Sequence, residues 1–266
     1  MTVFQAMVLG LVQGLAEFLP ISSSAHLVLV PWVFGWPDPG LAFDVALHVG
    51  TLVAVLWYFR QEWVRLTLSA FALIRTRRAD TEEKRRFLHI VVATIPAAIG
   101  GLLLEDYAES AFRSPSLIAI TLMVMGVVLW AADRYAPRDR PLSSMGMRDA
   151  VLIGLAQVFA LVPGVSRSGS TMTAGRALRL DRQAAATFSF LMSMPITAAA
   201  AVLKVPALLR SDDLTLLVVG ILASAVSGWL AIAVLLRYLS KHSFGLFAVY
   251  RLVLGAAILA LVAARG

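Results

Sequence analysis

The sequence contains no cysteine, and only 15% of its 266 residues are charged. Without cysteine there can be no disulfide bond and no thiolate metal site. The charged fraction lies well below the roughly 25% that is typical of soluble globular domains. What is abundant is apolar side chain, since 59% of the residues are hydrophobic and the mean hydropathy is +0.82. This composition predicts an integral membrane protein that crosses the bilayer several times.

The net charge of +7 does not indicate a nucleic-acid partner. A nucleic-acid interface needs Lys and Arg clustered on one face of a soluble fold, whereas the basic residues here lie in short connections between apolar runs. The first residues also lack the basic n-region and the small-residue cleavage site of a signal peptide. We therefore expect Met1 onward to belong to the mature protein.

Six apolar runs are long enough to cross a bilayer, which takes roughly 20 helical residues. They cover approximately 41–59, 87–104, 116–132, 184–203, 214–236 and 246–264. Four shorter apolar runs, at 3–19, 25–34, 150–162 and after Thr171, pair around two polar motifs and predict re-entrant helix–loop–helix hairpins. The predicted fold is all-α and polytopic, with six transmembrane helices and two re-entrant hairpins in one membrane domain over 1–266.

The basic residues indicate the orientation. Eight Lys and Arg lie in 60–86, and 134–148, 176–182 and 237–241 bring the total on that side to seventeen. The opposite side receives four: Arg113, Lys204, Arg210 and Arg265. By the positive-inside rule, 60–86 is a cytoplasmic loop and both termini lie outside the cytoplasm. We expect the acidic residues Glu105, Asp106 and Glu109 to form a solvated face on the outer side.

The chain also carries an internal repeat with an offset of 144 residues. The shift superposes five pairs of identical residues: Gly10 on Gly154, Gln13 on Gln157, Ala16 on Ala160, Ser22 on Ser166, and Ser24 on Ser168. Each copy, about 1–133 and about 149–264, would hold one hairpin and three spans, and the two would be inserted with opposite sense. Inverted repeats of this kind build central substrate sites from broken helices.

Two motifs carry the polar chemistry. The first motif, residues 13–26, reads QGLAEFLPISSSAH, and the second motif, residues 163–171, reads PGVSRSGST. Burying an ionisable side chain inside a membrane costs free energy, so such a residue indicates a functional site. Arg167 offers a planar fork that suits phosphate oxygens, and the Gly and Ser around it leave backbone amides accessible at a helix start near Ser170. No Walker motif occurs, so the parts indicate phosphate chemistry other than nucleotide hydrolysis.

The remaining side chains of the motifs leave several roles open. Glu17 and His26 could each serve as metal ligand, base or acid, and Ser22, Ser23 or Ser24 as nucleophile. Structural alternatives stand beside these roles. Serines often cap or bond back to helices in membranes, and Arg167 could form a structural ion pair with Glu17.

Three further polar residues fall within apolar spans. Asp44 and His48, one helical turn apart, either line a cavity or bond each other. Arg251 is expected to pair or to extend toward the membrane surface.

The stretch 14–26 together with 163–171 resembles the two signatures of the BacA-type undecaprenyl-diphosphate phosphatases, and the likeness extends over essentially the whole chain in length, span pattern and motif spacing. This resemblance implies hydrolysis of undecaprenyl diphosphate to undecaprenyl phosphate, which recycles the lipid carrier of cell-wall synthesis and confers bacitracin resistance. It also implies a divalent cation, Mg²⁺ or Ca²⁺, and a site that opens to the outer face of the bacterial cytoplasmic membrane.

The resemblance assigns roles to individual residues. It implies Glu17, Ser23, His26 and Arg167 as the catalytic set, Glu17 also as metal ligand, and either Ser23 or His26 as the nucleophile. Gln13 stands where many members have Glu, which removes one carboxylate, and Ala25 stands where many have Gly. We predict that substrate is bound by Gln13, Ser22, Ser24, Ser166, Ser168, Gly169, Ser170 and Thr171.

A second function class competes with hydrolysis. Inverted repeats with opposed hairpins are also a transporter architecture, so a flippase or transporter for the lipid carrier is the alternative. A purely structural scaffold gives no reason for Glu17, His26 and Arg167 inside the bilayer. The sequence leaves open whether the protein forms a homodimer.

Overall fold

The computed structural model describes residues 1–103, 114–208 and 213–265. Glu105, Asp106, Glu109, Arg113 and Arg210 lie outside these ranges, so the expectations for them are not tested. The described residues form eleven α-helices: α1 Val3–Phe18, α2 Ser23–Phe34, α3 Gly40–Tyr58, α4 Arg60–Thr76, α5 Glu82–Leu103, α6 Pro115–Tyr135, α7 Met147–Val158, α8 Arg167–Ala177, α9 Arg182–Leu208, α10 Leu214–Leu239 and α11 Gly245–Arg265. Short 3₁₀ turns occur at Leu142–Ser144 and Phe159–Leu161.

Five of these helices are long and apolar enough to cross a membrane. They are α5, α6, α9, α10 and α11, and α3 joined to α4 makes a sixth candidate that is bent by 84°. The prediction of an all-α polytopic membrane protein is therefore confirmed. The interpretation of 60–86 as a loop is wrong, because most of it is helical: α4 covers Arg60–Thr76 and α5 begins at Glu82.

The two polar motifs each form a helix–turn–helix hairpin. α1 ends before Pro20, where Leu19 takes the extended conformation that a following proline imposes, and α2 then runs back from Ser23. α7 and α8 form the second pair around 159–166. With 16, 12, 12 and 11 residues, these helices are short against the roughly 20 residues of a span.

The turns of the two hairpins have the same local geometry. Ser22 and Ser166 both have positive φ, 76° and 75°, which is uncommon for a residue other than glycine. Each is the N-cap of the helix that follows, and its hydroxyl accepts a hydrogen bond from the backbone amide three residues ahead, Ala25 at 3.3 Å and Gly169 at 3.0 Å. The positive φ falls on Ser22 and not on Ala25, which is helical, so the alanine costs this turn nothing.

Small residues set the packing of both hairpins. α1 packs on α10 and α7 packs on α5. A Cβ atom at Gly10 would lie 2.3 Å from the Gly220 carbonyl oxygen, and one at Gly154 would lie 2.6 Å from the Ala93 carbonyl oxygen. Close approach at small residues is typical of helix packing in membranes. The first hairpin therefore packs on α10, the second long apolar helix of the second half of the chain. The second hairpin packs in the same way on α5, the second long apolar helix of the first half.

The hairpin turns meet in the interior of the bundle. The Gly164 amide donates to the Ser22 hydroxyl at 3.1 Å, and the Ser168 hydroxyl donates to the Leu19 carbonyl oxygen at 3.1 Å. Thr121 on α6 adds a hydrogen bond to the Pro163 carbonyl oxygen at 2.7 Å. Irregular backbone at membrane depth needs such internal partners because no water can supply them.

Arg251 on α11 holds both turns at once. Its fully buried guanidinium donates to the carbonyl oxygens of Leu122 (3.1 Å), Pro20 (3.0 Å), Gly164 (2.6 Å) and Val165 (2.8 Å). Of the two expectations for Arg251, pairing or extension to the membrane surface, the second is wrong, because the side chain is buried and is paired with backbone carbonyl oxygens. Its guanidinium instead binds three carbonyls of the hairpin turns, which have no helical partner, and one carbonyl within α6.

Several basic residues that were counted as loop charges are structural. Arg176 is fully buried and, together with Arg182, donates to the carboxylate of Asp133. Nearby, the guanidinium of Arg179 donates to Asp139 in the connection between α6 and α7, and this hydrogen bond holds the pKa of the Asp139 carboxyl below its usual range. These contacts join the ends of three helices, α6, α8 and α9, on the face predicted to be cytoplasmic.

Candidate active site

The carboxylate of Glu17 is the centre of a buried polar cluster. Ser23 donates its hydroxyl to Oε2 at 2.6 Å, and the amide of Gln13 donates to the same oxygen at 3.1 Å. Arg167 Nη2 lies 2.8 Å from Oε1, and His48 Nε2 lies 3.4 Å from Oε2. Residues from both motifs and from α3 therefore converge on one side chain that is 7% exposed.

A cavity of about 210 Å³ opens beside this cluster. Its lining combines polar groups with apolar ones: Glu17, Ser23, Ser24, Val45, His48, Ala160, Ser166, Arg167, Ile196, Thr197 and Ala200. Two helices begin at its wall, α2 at Ser23 and α8 at Arg167. Helix N-termini carry partial positive charge and exposed amides, so the cavity favours an anion.

Arg167 reaches the cavity in a fixed orientation. One nitrogen donates to Glu17 and another donates to the Ser189 carbonyl oxygen on α9 at 3.1 Å. The ion pair with Glu17 that stood as a structural alternative is present. It does not withdraw Arg167 from the cavity, because the side chain remains 14% exposed among the lining residues.

The structure brings Ser23, and not His26, to Glu17. His26 Nδ1 donates to the Ser22 carbonyl oxygen and Nε2 accepts from the Tyr250 hydroxyl, both at 2.7 Å. The two rings are stacked with centroids 5.8 Å apart. The structure therefore places the His26 ring against Tyr250 on α11 and not beside Glu17, and the catalytic role expected for His26 stays a prediction.

His48 is a site residue whose place the sequence left undecided. Nδ1 lies 2.7 Å from the backbone carbonyl oxygen of Asp44, which fixes the ring, and Nε2 faces Glu17 across the cavity wall. The sequence feature that pointed to a role for His48 was its position as an ionisable residue inside the apolar run 41–59. The residue pattern did not show which face of α3 would point to the hairpins.

Only part of the predicted substrate-binding set lines the cavity. Ser24 and Ser166 do so. Gln13 hydrogen-bonds Glu17 but is not among the lining residues. Ser22 and Ser168 instead join the two hairpin turns through the hydrogen bonds described above.

The rest of the second motif builds the first turns of α8. Ser170 and Thr171 donate to the Arg167 carbonyl oxygen at 3.1 and 2.7 Å. Gly169 is needed for space, because a Cβ atom there would lie 2.7 Å from Arg251 Nη1. These residues position Arg167 and are not part of the cavity lining.

Gln13 and Glu17 also decide how well the site suits a divalent cation. Within the described residues, no group of three or more His, Asp or Glu could hold a metal ion. The buried Oε1 of Gln13, however, has no hydrogen-bond partner there. Mg²⁺ commonly takes one or two protein carboxylates together with substrate phosphates, so the residues fit a cation held jointly with a phosphorylated ligand.

The chain matches a known protein family over nearly its whole length. The family model described as "Bacitracin resistance protein BacA" matches residues 6–257. The chain belongs to the BacA family. Curated BacA relatives include the undecaprenyl-diphosphatase of Gemmatimonas aurantiaca, 60% identical over 266 residues and all of both chains. The undecaprenyl-diphosphatase of Pelotomaculum thermopropionicum is 53% identical, over 100% of this chain and 98% of the relative. The family membership expected from the two motifs is therefore confirmed.

Proposed function

We propose that the chain hydrolyses undecaprenyl diphosphate to undecaprenyl phosphate and inorganic phosphate, in the cell-wall carrier cycle on which bacitracin acts. The names of its relatives and the BacA match support this activity. The observation that carries it is the Glu17 carboxylate, shared by the Ser23 hydroxyl and the Arg167 guanidinium at the wall of an anion-favouring cavity. Nothing in the comparisons favours the transport alternative.

Substrate binding follows from the charges at the cavity. The terminal phosphates enter between the starts of α2 and α8, where Arg167 and backbone amides neutralise them. Ser24 and Ser166 line the same wall and supply hydroxyl donors. The prenyl chain stays among the apolar spans, so no separate lipid pocket is needed.

We assign nucleophilic attack to Ser23. Its proton passes to Glu17, 2.6 Å away, as Oγ bonds the terminal phosphorus and undecaprenyl phosphate leaves. Water then attacks the phosphoserine while Glu17 returns the first proton to the Ser23 oxygen and takes one from the water. Inorganic phosphate departs, and Glu17 releases the remaining proton to solvent, which restores the carboxylate. Arg167 stabilises the charge that develops on the phosphoryl oxygens in both steps. His26 acts as a positioning residue for the Ser22 turn.

A divalent cation, Mg²⁺ or Ca²⁺, would be held by Glu17 and the substrate phosphates, with Gln13 Oε1 as a neutral donor nearby. Such an ion supplies positive charge that stabilises the transferring phosphoryl group. Glu17 would therefore help to hold the ion as well as receive the Ser23 proton.

We place the protein in the bacterial cytoplasmic membrane, with six spans and two re-entrant hairpins arranged as an inverted repeat. Support comes from the distribution of basic residues, the short hairpin helices and the matched turns at Ser22 and Ser166. This orientation opens the first hairpin toward the outer side. All residues assigned to the site come from one chain, so the mechanism does not require a homodimer.

Phosphate release from undecaprenyl diphosphate by purified protein in detergent tests the activity. Detergent micelles have no leaflets, so turnover there requires chemistry and not transport. We expect release that depends on added divalent cation and is lost in a Glu17→Gln variant. Absence of release by folded wild-type protein, together with movement of lipid between the leaflets of vesicles, would replace hydrolysis with the transport function.

A further inference from the structure

Helix α4 lies across the bundle and not along it. It follows α3 after Phe59 with a bend of 84°. Its inner side packs on α5, where Leu66 is buried together with Ile90. Because α3 and α5 are apolar helices that cross the membrane in our assignment, this bend places α4 parallel to the membrane surface.

The outer side of α4 is apolar and uncovered by the described chain. Val64, Leu68, Phe71 and Ile74 are between 60% and 74% exposed. Their spacing of four, three and three residues puts them on one face of the helix. A helix with such a face lies at a membrane interface, with its apolar residues at the boundary of headgroups and acyl chains.

Basic residues border this apolar face. Arg60, Arg65 and Arg75 belong to α4, and Arg77 and Arg78 follow its end. Glu62 is the acid of the helix, and Arg86 on α5 donates to its carboxylate. The exposed surface of α4 is therefore positive at both ends of the apolar face.

A polar cleft adjoins the bend. It measures about 280 Å³ and is lined by Tyr58, Phe59, Arg60, Gln61, Glu62 and Arg65. Arg60 donates to the Trp57 carbonyl oxygen at 3.3 Å and its guanidinium lies 5.6 Å from the centre of the Trp57 ring. The Arg65 side chain is 65% exposed. Guanidinium groups in such a cleft match the oxygens of a phosphate.

We propose that α4 is a binding site for anionic phospholipid, separate from the catalytic cavity. The headgroup phosphate binds Arg60 and Arg65 in the cleft at the bend, and the acyl chains lie against Val64, Leu68, Phe71 and Ile74. Basic residues beside a membrane favour lipids of net negative charge. Phosphatidylglycerol should therefore be enriched at α4 relative to phosphatidylcholine, whose headgroup carries a compensating positive charge.

The natural absence of cysteine allows a site-specific probe. A Phe71→Cys variant carrying an environment-sensitive fluorophore would be placed in vesicles that contain either spin-labelled phosphatidylglycerol or spin-labelled phosphatidylcholine at equal mole fraction. We expect phosphatidylglycerol to quench the fluorescence at least about twofold more strongly. The difference should shrink in about 1 M salt, where the Debye length falls to about 3 Å.

Two controls separate α4 from the rest of the lipid surface. A Val226→Cys label, at a 61% exposed position in the middle of α10, should be quenched equally by both lipids. Adding Arg60→Gln and Arg65→Gln to the Phe71→Cys variant should remove the preference, whereas adding Arg179→Gln, in the connection between α8 and α9, should preserve it. Equal quenching of the Phe71→Cys label by both lipids, or no quenching by either, would overturn the proposal. Phosphate release in detergent tests the proposed catalytic function separately.

Discussion

Arg167 Nη2 lies 2.8 Å from Oε1 of Glu17, across 150 positions of sequence. This ion pair joins the start of α8 to the end of α1, so it connects the two hairpins at the cavity wall. The same guanidinium is fixed on its other side by the Ser189 carbonyl oxygen. A group that bridges two hairpins and also faces the cavity depends on its fork geometry as well as on its charge.

An Arg167→Lys variant should therefore lose most of its activity although the charge is retained. A single ammonium cannot contact Glu17, Ser189 and a substrate phosphate together. We expect kcat/KM for phosphate release to fall about 100-fold or more, as when one donor to a developing anion is removed. A midpoint of thermal unfolding close to wild type would show that the loss is catalytic. Near-normal turnover would make Arg167 peripheral.

Removing the Ser23 hydroxyl should have a different effect from removing the hydroxyl that holds His26. Ser23→Ala removes the hydroxyl that donates to Glu17, so activity should disappear while stability stays close to wild type. Tyr250→Phe removes the hydroxyl that binds His26 and should lower stability by about 1 kcal/mol, with a smaller loss of kcat. Substantial turnover by Ser23→Ala, measured as phosphate release, would return the nucleophile assignment to His26.

Glu17 and Gln13 provide a matched pair for the cation. Glu17→Gln should abolish turnover and weaken the divalent-cation requirement, because it removes the carboxylate and the proton acceptor. Gln13→Ala should be milder, since the wild-type amide carries no charge. Activity titrated against Mg²⁺ and Ca²⁺ distinguishes the two. Equal losses with unchanged cation dependence would contradict the assignment of the ion to Glu17.

Arg251→Met should destabilise the protein strongly, although Arg251 does not line the cavity. The change removes the donor to the buried turn carbonyls of Pro20, Gly164 and Val165, and each unsatisfied group costs about 1–3 kcal/mol. We expect the free energy of unfolding in detergent to fall by several kcal/mol. Arg265→Gln is the matched control, because that arginine also binds carbonyl oxygens, of Trp32 and Val33, but at an exposed position. Equal effects of both changes would show that burial of Arg251 is unimportant.

Cysteine labelling of intact spheroplasts checks the orientation. A single cysteine within 105–112 should react with an impermeant thiol reagent, whereas one at Ala79 should react only after permeabilisation. This follows from the basic residues of 60–86, which favour the cytoplasmic side. The reverse pattern would overturn both the orientation and the sidedness of the site.

Long apolar runs made the helices predictable, because few other structures satisfy backbone groups in a bilayer. α4 escaped prediction as a helix because its charges were read as loop charges, although Val64, Leu68, Phe71 and Ile74 follow helical spacing. The convergence of Glu17 and Arg167 could be expected from the inverted repeat. The directions of His26 and His48 could not, since they depend on a positive φ at Ser22 and on the rotation of α3 in the packed bundle.

The position of Arg251 in the chain has a consequence for biosynthesis. Glu17, Ser23 and Arg167 are all translated before α11. The hydrogen-bond donor to the carbonyls of both hairpin turns, Arg251, is part of this last helix. A nascent chain that stops short of Gly245–Arg265 therefore holds every residue assigned to catalysis but lacks the guanidinium that fixes the turns. Competence for phosphate release should arise only when the final helix has entered the membrane, which keeps a partly inserted polypeptide from acting on the lipid carrier.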